Sequence, residues 1–192
     1  VEEAYHFGFP LDAGALLIVE LDGLKDGVEA QALSVEEICR KNNAREVRIA
    51  KDDAERDALW KCRKRAFGAV GRISPNYVTQ DGVVPRSKLP QIMRFILATS
   101  EKFELRIPNV FHAGDGNIHP LILFDERQPG QVQRALAAGQ EILEKCIALG
   151  GSVTGEHGIG AEKIDLMAKQ FSKDDLEAMK TLRHAFDPDK RC

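Results

Sequence analysis

Two of the five histidines in this 192-residue chain bracket a glycine-rich segment, HAGDGNIH, that runs from His112 to His119. Asp-Gly is the favoured centre of a two-residue hairpin turn. If Asp115 and Gly116 form that centre, or if residues 114–117 form a four-residue loop, the two histidines face each other with Cβ atoms roughly 4.5–5.5 Å apart. Imidazoles held in this way could bind one metal ion. The alternative is a pair of surface histidines beside a common turn.

A second polar segment, GEHGIG, occupies residues 155–160. Glycines on both sides of Glu156 and His157 let the backbone approach a ligand closely. Glu156 could supply a third, anionic metal ligand, and His157 could act as a base because an unperturbed imidazole has a pKa of about 6.5. The alternative is a glycine-rich helix entry with solvated side chains. A dinucleotide-binding motif is not indicated, because His119 occupies the third glycine position of GxGxxG.

Composition narrows the class of protein. The 27 Lys and Arg residues against 30 Asp and Glu give a net charge of −3, so there is no strong basic field for nucleic acid. The apolar run at residues 15–19 is far shorter than the ~20 residues that span a bilayer. Four cysteines without a Cys-x-x-Cys pair indicate reduced thiols in a cytoplasmic protein. The start at Val1 shows no signal peptide and suggests a piece of a longer chain.

Hydrophobic periodicity predicts the elements that must position these segments. Strands are expected at residues 15–22, 46–50 and 152–154, a short strand within 72–85, and a hairpin over 109–124. Helices are expected at residues 28–41, 52–70, 87–103 with Ser87 as N-cap, 129–149, and once or twice within 160–186 with Ser172 as a cap. This order predicts an α+β fold, a ferredoxin-like antiparallel or mixed sheet with helices packed on one side.

The two histidine segments resemble those of the C-terminal domain of FAD-linked oxidases, a family that includes glycolate oxidase, D-lactate dehydrogenase and D-2-hydroxyglutarate dehydrogenase. Shorter similarities extend over nearly the whole chain. They are LWxxR at residues 59–63, PNYxxxDG at 75–82, NVFH at 109–112 and FDPD at 186–189. The resemblance implies that residues 1–192 form one substrate- and metal-binding domain, preceded by an N-terminal FAD-binding domain outside this chain.

The resemblance also implies roles for four residues. His112, His119 and Glu156 correspond to ligands of a divalent metal, often zinc, which holds the oxygens of a 2-hydroxy acid. His157 corresponds to the base that takes the hydroxyl proton while a hydride passes to flavin N5. A Lewis acid suits this reaction because it lowers the pKa of the hydroxyl and orients the substrate.

Further residues are assigned on the same grounds. Arg63 would anchor the substrate carboxylate, since a guanidinium can bind two oxygens at once; the alternative is a solvated helix residue among other basic side chains. Asn117 would border the flavin. Asp115 and Asn117 would fix the turn and support the metal ligands rather than bind the metal directly.

Two departures from the family pattern bear on the substrate. Relatives that act on 2-hydroxyglutarate have a Lys within the segment aligned with residues 78–81 and an Asn where this chain has Pro120-Leu121. Both differences remove contacts suited to a distal carboxylate, so glycolate or D-lactate is favoured.

Other oxidase subunits are expected partners and would supply any membrane association. Two alternatives stay open: a self-contained zinc hydrolase, and a non-catalytic α+β interaction module.

Overall fold

A computed structural model describes residues 1–189 and Arg191 of the chain. The chain divides into two compact units, Val1–Val70 and Gly71–Cys192. The helices of the first unit are α1 (Glu2–Tyr5), α2 (Lys25–Lys41), α3 (Asp53–Lys64) and α4 (Ala66–Val70). Those of the second are α5 (Leu89–Phe103), α6 (Gln131–Ala148), α7 (Ile164–Gln170) and α8 (Lys173–Phe186). Its strands are β1 (Asn76–Thr79), β2 (Gly82–Val83), β3 (Asn109–His112) and β4 (Asn117–Phe124).

The helices of the first unit largely follow the sequence pattern. Helix α2 confirms the helix predicted at residues 28–41. The single helix predicted at 52–70 is instead the pair α3 and α4, which meet at Arg65. Asp52 caps α3, because its carboxylate accepts a hydrogen bond of 2.8 Å from the backbone amide of Glu55.

The two strands predicted in the first unit are wrong. Residues 15–22 and 46–50 form no strand in the described part of the chain. Leu17, at the centre of the first apolar run, is 63% exposed. A strand needs a neighbour that pairs with its backbone N–H and C=O groups, and an apolar run without such a neighbour stays irregular.

The second unit contains an antiparallel sheet built around β4. This strand pairs with β1 along its second half and with β2 and β3 along its first half. Helices α5 and α6 cover the sheet and enclose a core of aliphatic side chains, including Ile96, Ile122 and Ile142. The structure therefore confirms the predicted α+β class, with helices packed against an antiparallel sheet.

The start of α5 differs from the prediction. Ser87 is not its N-cap, because residues Arg86–Lys88 form a 3₁₀ turn and α5 begins at Leu89. Lys88 precedes the helix and provides no side-chain cap. Pro90 lies in the first turn, where its missing N–H would have no intrahelical partner in any case.

The β3–β4 turn shifts the predicted register by two residues. His112 pairs with Asn117 and Val110 with His119, so the loop is residues 113–116. The predicted direct pairing of the two histidines is wrong, yet they remain diagonal neighbours on one face because side chains repeat every second residue. The shift follows from Gly116, whose φ of +77° and missing Cβ allow it to approach the Val84 carbonyl; an added Cβ would lie 2.1 Å from that oxygen.

The C-terminal elements agree with the sequence pattern except at residues 152–154. Helix α6 confirms the helix predicted at 129–149, and the predicted cap of α8 is present, since Ser172 and Asp175 form a capping box. Ser152 makes only an isolated bridge to Val83 rather than a strand.

Two further expectations concern membrane spans and cysteines in the described residues. None of the helices there is both long and apolar enough to cross a membrane. Cys39, Cys62 and Cys146 are free thiols, as predicted, and Cys192 lies outside the described residues.

Candidate metal centre

Three side chains from β3, β4 and the loop after the Ser152 bridge converge on one point. The carboxylate atom Oε1 of Glu156 lies 2.9 Å from Nε2 of His119 and 3.6 Å from Nε2 of His112. The possible ligand atoms of these residues all lie within 4.8 Å of one another. His119 is almost fully buried, whereas His112 and Glu156 are about half exposed. The group therefore has a fixed inner member and an open side.

This donor set fits a divalent metal ion. Zinc binds imidazole nitrogen and carboxylate oxygen at about 2.0–2.2 Å, which places neighbouring ligands of one tetrahedral ion roughly 3.3–3.6 Å apart. The 3.6 Å distance from Glu156 to His112 lies at the edge of that range, and the 2.9 Å distance to His119 is a hydrogen-bond distance. A cleft of about 270 Å³ borders the group and is lined by Val83, His112, Asp115, Asn117, Gly155 and Glu156. Three protein ligands beside an open cleft can hold a metal and leave positions for a substrate.

His157 lies directly beside this group. Its ring stacks on that of His119, with centroids 5.0 Å apart and planes 8° from parallel. Its Nε2 atom is 3.8 Å from Oε1 of Glu156. The side chain is about half exposed, so it can exchange protons with a bound molecule or with solvent.

The electrostatics of His119 suit a neutral ligand. Burial lowers the pKa of His119, and the nearby carboxylate of Glu156 opposes this effect without reversing it. A neutral imidazole offers the lone pair that a metal requires. The other ring nitrogen, Nδ1, is buried without a hydrogen-bond partner and lies 4.0 Å from Oδ1 of Asp81.

Asp81 is the main residue that sequence reasoning missed. It is fully buried and accepts hydrogen bonds from the Thr154 hydroxyl and from the backbone amides of residues 155–157. Burial alone would raise the pKa of Asp81, but these hydrogen bonds outweigh it and hold that pKa well below its usual range. The only sequence signal was its place in the PNYxxxDG segment, which carried no role.

Lys163 is a second residue that the sequence did not reveal. Its ammonium group is buried and donates to the backbone carbonyls of Asp81, at 3.0 Å, and Val153, at 2.9 Å. The same group lies 3.7 Å from Oδ2 of Asp81. Burial lowers the pKa of Lys163, and the adjacent Asp81 carboxylate opposes that shift. The pair therefore places two opposite charges beneath the loop.

Asn117 and Asp115 both line the cleft. Asn117 is buried at the start of β4, and its Oδ1 atom has no hydrogen-bond partner. Its amide packs against Gly155, where an added Cβ would lie 2.6 Å from the amide nitrogen. Gly155 is therefore required for the loop to approach β4 this closely.

Arg63 belongs to the first unit, on helix α3, and is partly buried. Its guanidinium carbon lies 5.8 Å from the centroid of the Phe67 ring. The structure thus brings together His112, His119, Glu156, His157 and Asn117 within the second unit. The role of Arg63 stays a prediction.

Comparison with known proteins gives a consistent family. The model of the family "FAD linked oxidases, C-terminal domain" matches residues 1–192. The chain is 50% identical over 188 residues to the glycolate oxidase subunit GlcD of Escherichia coli, covering 98% of this chain and 38% of that protein. It is 37% identical over 188 residues to the GlcD subunit of Bacillus subtilis, covering 98% and 40%.

A vertebrate relative is more distant. The chain is 35% identical over 175 residues to a probable mitochondrial D-lactate dehydrogenase of Danio rerio, covering 90% of this chain and 35% of that protein. The chain thus spans well under half the length of these relatives. The match over its full length shows that the chain belongs to the FAD-linked oxidases, as a C-terminal domain of that family.

Proposed function

We propose that this chain is the substrate- and metal-binding domain of an FAD-dependent 2-hydroxy acid dehydrogenase that oxidises glycolate or D-lactate to the 2-oxo acid. The convergence of His112, His119 and Glu156 beside His157 carries this proposal. Relatives named as glycolate oxidase subunits and as a D-lactate dehydrogenase support the substrate class. The full protein would include a separate FAD-binding domain, and the chain's share of its relatives' length leaves room for one.

The metal site would consist of His112, His119 and Glu156, with zinc as the expected ion. When bound, the metal would lower the pKa of the substrate hydroxyl, and the flavin would accept the hydride. The buried His119 would provide one fixed ligand, and the half-exposed pair His112 and Glu156 would leave the cleft side open. A carboxylate and a hydroxyl oxygen of the substrate would occupy that side.

His157 would act as the base. Its Nε2 atom lies 3.8 Å from Oε1 of Glu156, so substrate oxygens bound on the open side of the metal site would lie near this nitrogen. The stack against His119 fixes the plane of the ring. In the reaction the hydroxyl proton would pass to His157, the α-hydrogen would leave with both electrons of the C–H bond, and the carbonyl would form at the same carbon.

Small substrates are favoured by the residues near the site. Gln80 and Asp81 are buried, and Asp81 is fully engaged by the 154–157 loop. Pro120 and Leu121 lie buried in β4 and offer no polar side-chain group. A second carboxylate of the substrate therefore has no evident cationic partner at these positions. Arg63 would bind the single carboxylate, and Asn117 would border the flavin.

The free cysteines bear on the cellular compartment of the protein. The free thiols of Cys39, Cys62 and Cys146 fit a reducing compartment, so we expect a cytoplasmic protein. Its partners would be the FAD-binding domain and further oxidase subunits.

Metal analysis of the full-length protein tests the ligand set. We expect about one zinc per chain in the wild type, and His119→Ala should lose more zinc affinity than the roughly 10- to 100-fold typical of removing a residue that only supports a ligand. His184→Ala is the matched control, because His184 is exposed on α8 and belongs to neither histidine segment. Full zinc retention in His119→Ala would remove His119 from the site.

Stopped-flow flavin reduction tests the reaction. Glycolate and D-lactate should reduce the flavin of the wild type, and 2-hydroxyglutarate should do so much more slowly. His157→Ala should retain zinc and lose about 10²–10⁴-fold in the reduction rate, the range for a missing general base. A near-normal rate would exclude His157 as the base. Metal-dependent ester or amide hydrolysis without flavin reduction would instead indicate a zinc hydrolase.

A further inference from the structure

We propose that Asp81 is a positioning residue, which fixes the backbone of residues 154–157 and so sets the placement of Glu156 and His157. The inference rests on the proposed function for the roles of those two side chains. Asp81 itself makes no contact that would bind substrate, since it is fully buried beneath the loop. It would act through the loop that it holds.

The hydrogen bonds show how the loop is held. Oδ2 of Asp81 lies 2.7 Å from the Thr154 hydroxyl, 2.9 Å from the Gly155 amide, 3.2 Å from the Glu156 amide and 2.9 Å from the His157 amide. These donors belong to the consecutive residues 154–157, and all of them converge on one carboxylate. A single buried acceptor therefore determines the course of the backbone at both functional residues.

Other contacts of this loop involve its side chains. Those of Glu156 and His157 are about half exposed and contact His119, Glu156 through its Oε1 atom and His157 through its ring. Glycines stand at positions 155 and 158, and Gly158 takes a φ of +83°. Thr154 links the ends of the turn, because its hydroxyl donates to Asp81 and accepts a 2.9 Å hydrogen bond from the Gly158 amide. Order in the loop therefore depends mainly on the Asp81 carboxylate.

Lys163 supports Asp81 from the opposite side. Its ammonium group binds the backbone carbonyl of Asp81 and that of Val153, the residue before the loop. This geometry ties the segment between β1 and β2, which carries Asp81, to the start of the loop. The positive charge 3.7 Å from Oδ2 also favours the ionised carboxylate.

Asp81→Asn is the most informative substitution, because it keeps the shape and removes the charge and one acceptor. An Asn side chain has one oxygen acceptor, and its NH₂ group cannot accept a hydrogen bond. Some of the backbone N–H donors would therefore face this NH₂ group or be buried without a partner. We expect the loop to loosen while the three metal ligands remain in the sequence.

The experiment uses the full-length protein and two measurements. In metal-free protein, amide hydrogen exchange at residues 155–157 should rise at least about tenfold in Asp81→Asn. Zinc affinity, measured by competition with a chromophoric chelator, should fall about 10- to 100-fold, as expected for a residue that orients ligands. The absorption spectrum of the cobalt-substituted protein should also change.

Asp125→Asn is the matched control. Asp125 lies in the same unit and also accepts a backbone hydrogen bond, from the Arg127 amide at 3.0 Å, but it holds no residue of the 154–157 loop. It should leave exchange at residues 155–157, zinc affinity and the cobalt spectrum unchanged. A merely destabilising effect of Asp81→Asn would appear in unfolding but not in these local measurements on folded protein.

The outcomes separate the two proposals. A wild type that binds no zinc contradicts the proposed metal site, while faster exchange in Asp81→Asn would still support the positioning role. Folded Asp81→Asn with unchanged loop exchange and unchanged zinc affinity would overturn that role. If Asp81→Asn does not fold, Thr154→Val removes one donor to Asp81 together with the acceptor of the Gly158 amide, and it should raise exchange at residues 155–157 and weaken zinc binding about 3- to 10-fold. No change in that variant would also overturn the inference.

Discussion

The two compact units of this chain are similar in helix content but very different in burial. In the first unit the buried residues are few and mostly small: Cys62, Ala66, Ala69 and Val70. In the second unit large aliphatic side chains are fully buried between α5, α6 and the sheet. Both units contain strongly apolar stretches, but only the second converts them into strands.

This difference shows what an apolar run needs in order to become a strand. Residues 15–22 and residues 117–124 are both rich in aliphatic side chains. The second run is β4, which has strands on both edges and a helix layer over one face. Backbone pairing and burial of side chains occur together there, whereas the first run has neither. Hydrophobicity alone does not determine the outcome.

Core truncation should produce the largest difference between the units. Ile122→Ala removes a fully buried side chain from β4 and should lower the free energy of unfolding by about 2–5 kcal/mol. Leu17→Ala removes a mostly exposed side chain and should change that free energy by less than about 0.5 kcal/mol. Urea unfolding of the 192-residue chain, followed by circular dichroism, measures both. A large effect of Leu17→Ala would contradict the contrast in burial.

The sequence predicted helices better than it predicted pairings. The period of 3.6 residues is local, and it identified α2, α5, α6 and α8 to within a few residues. The strand at residues 15–22 failed because its pairing depends on neighbours that a local pattern does not contain. The register of the hairpin failed for a related reason: Gly116 approaches the Val84 carbonyl, a contact with a distant segment.

The same distinction applies to the candidate site. His112, His119 and Glu156 were found because their residue types and glycine neighbours are unusual even in the sequence. Asp81 was not, since its partners lie 73 to 76 positions further along the chain. A lone aspartate before a glycine carries no local signal for such a role. Residues that support a site are therefore harder to predict than those that form it.

Glycine substitutions should give the next largest difference. Gly116 and Gly8 both take a positive φ, of +77° and +83°, in the second and first unit respectively. Gly116→Ala should cost about 3 kcal/mol, because the left-handed conformation costs about 1–2 kcal/mol and the new Cβ would meet the Val84 carbonyl at 2.1 Å. Gly8→Ala should cost only the conformational part, since the nearest atom is 4.0 Å away. Equal losses in urea unfolding would show that the close approach at Gly116 relaxes easily.

Helix caps offer a smaller contrast. Helix α8 has a capping box, so Ser172→Ala should lower the free energy of unfolding by about 1 kcal/mol. Helix α2 begins after Leu24, which is exposed and provides no side-chain cap. Leu24→Ser should therefore raise stability by about 0.5–1 kcal/mol. Thermal unfolding of both variants measures these shifts, and a stabilising Ser172→Ala would contradict the cap seen at α8.

The smallest expected effect concerns acid stability. The hydrogen bond from Arg45 lowers the pKa of Asp12 in the first unit, and the hydrogen bond from Arg127 lowers that of Asp125 in the second. A carboxyl with a lowered pKa stabilises the fold above its unfolded pKa of about 3.9, and this contribution disappears as the pH falls through the folded value. Asp12 and Arg45 are 33 positions apart, whereas Asp125 and Arg127 are two apart and can also meet in the unfolded chain. Asp12→Asn should therefore reduce the loss of stability between pH 6 and pH 3 more than Asp125→Asn does, and high salt should diminish both effects. Unfolding at the two pH values measures this order, and a larger effect of Asp125→Asn would show that the local pair forms only in the folded unit.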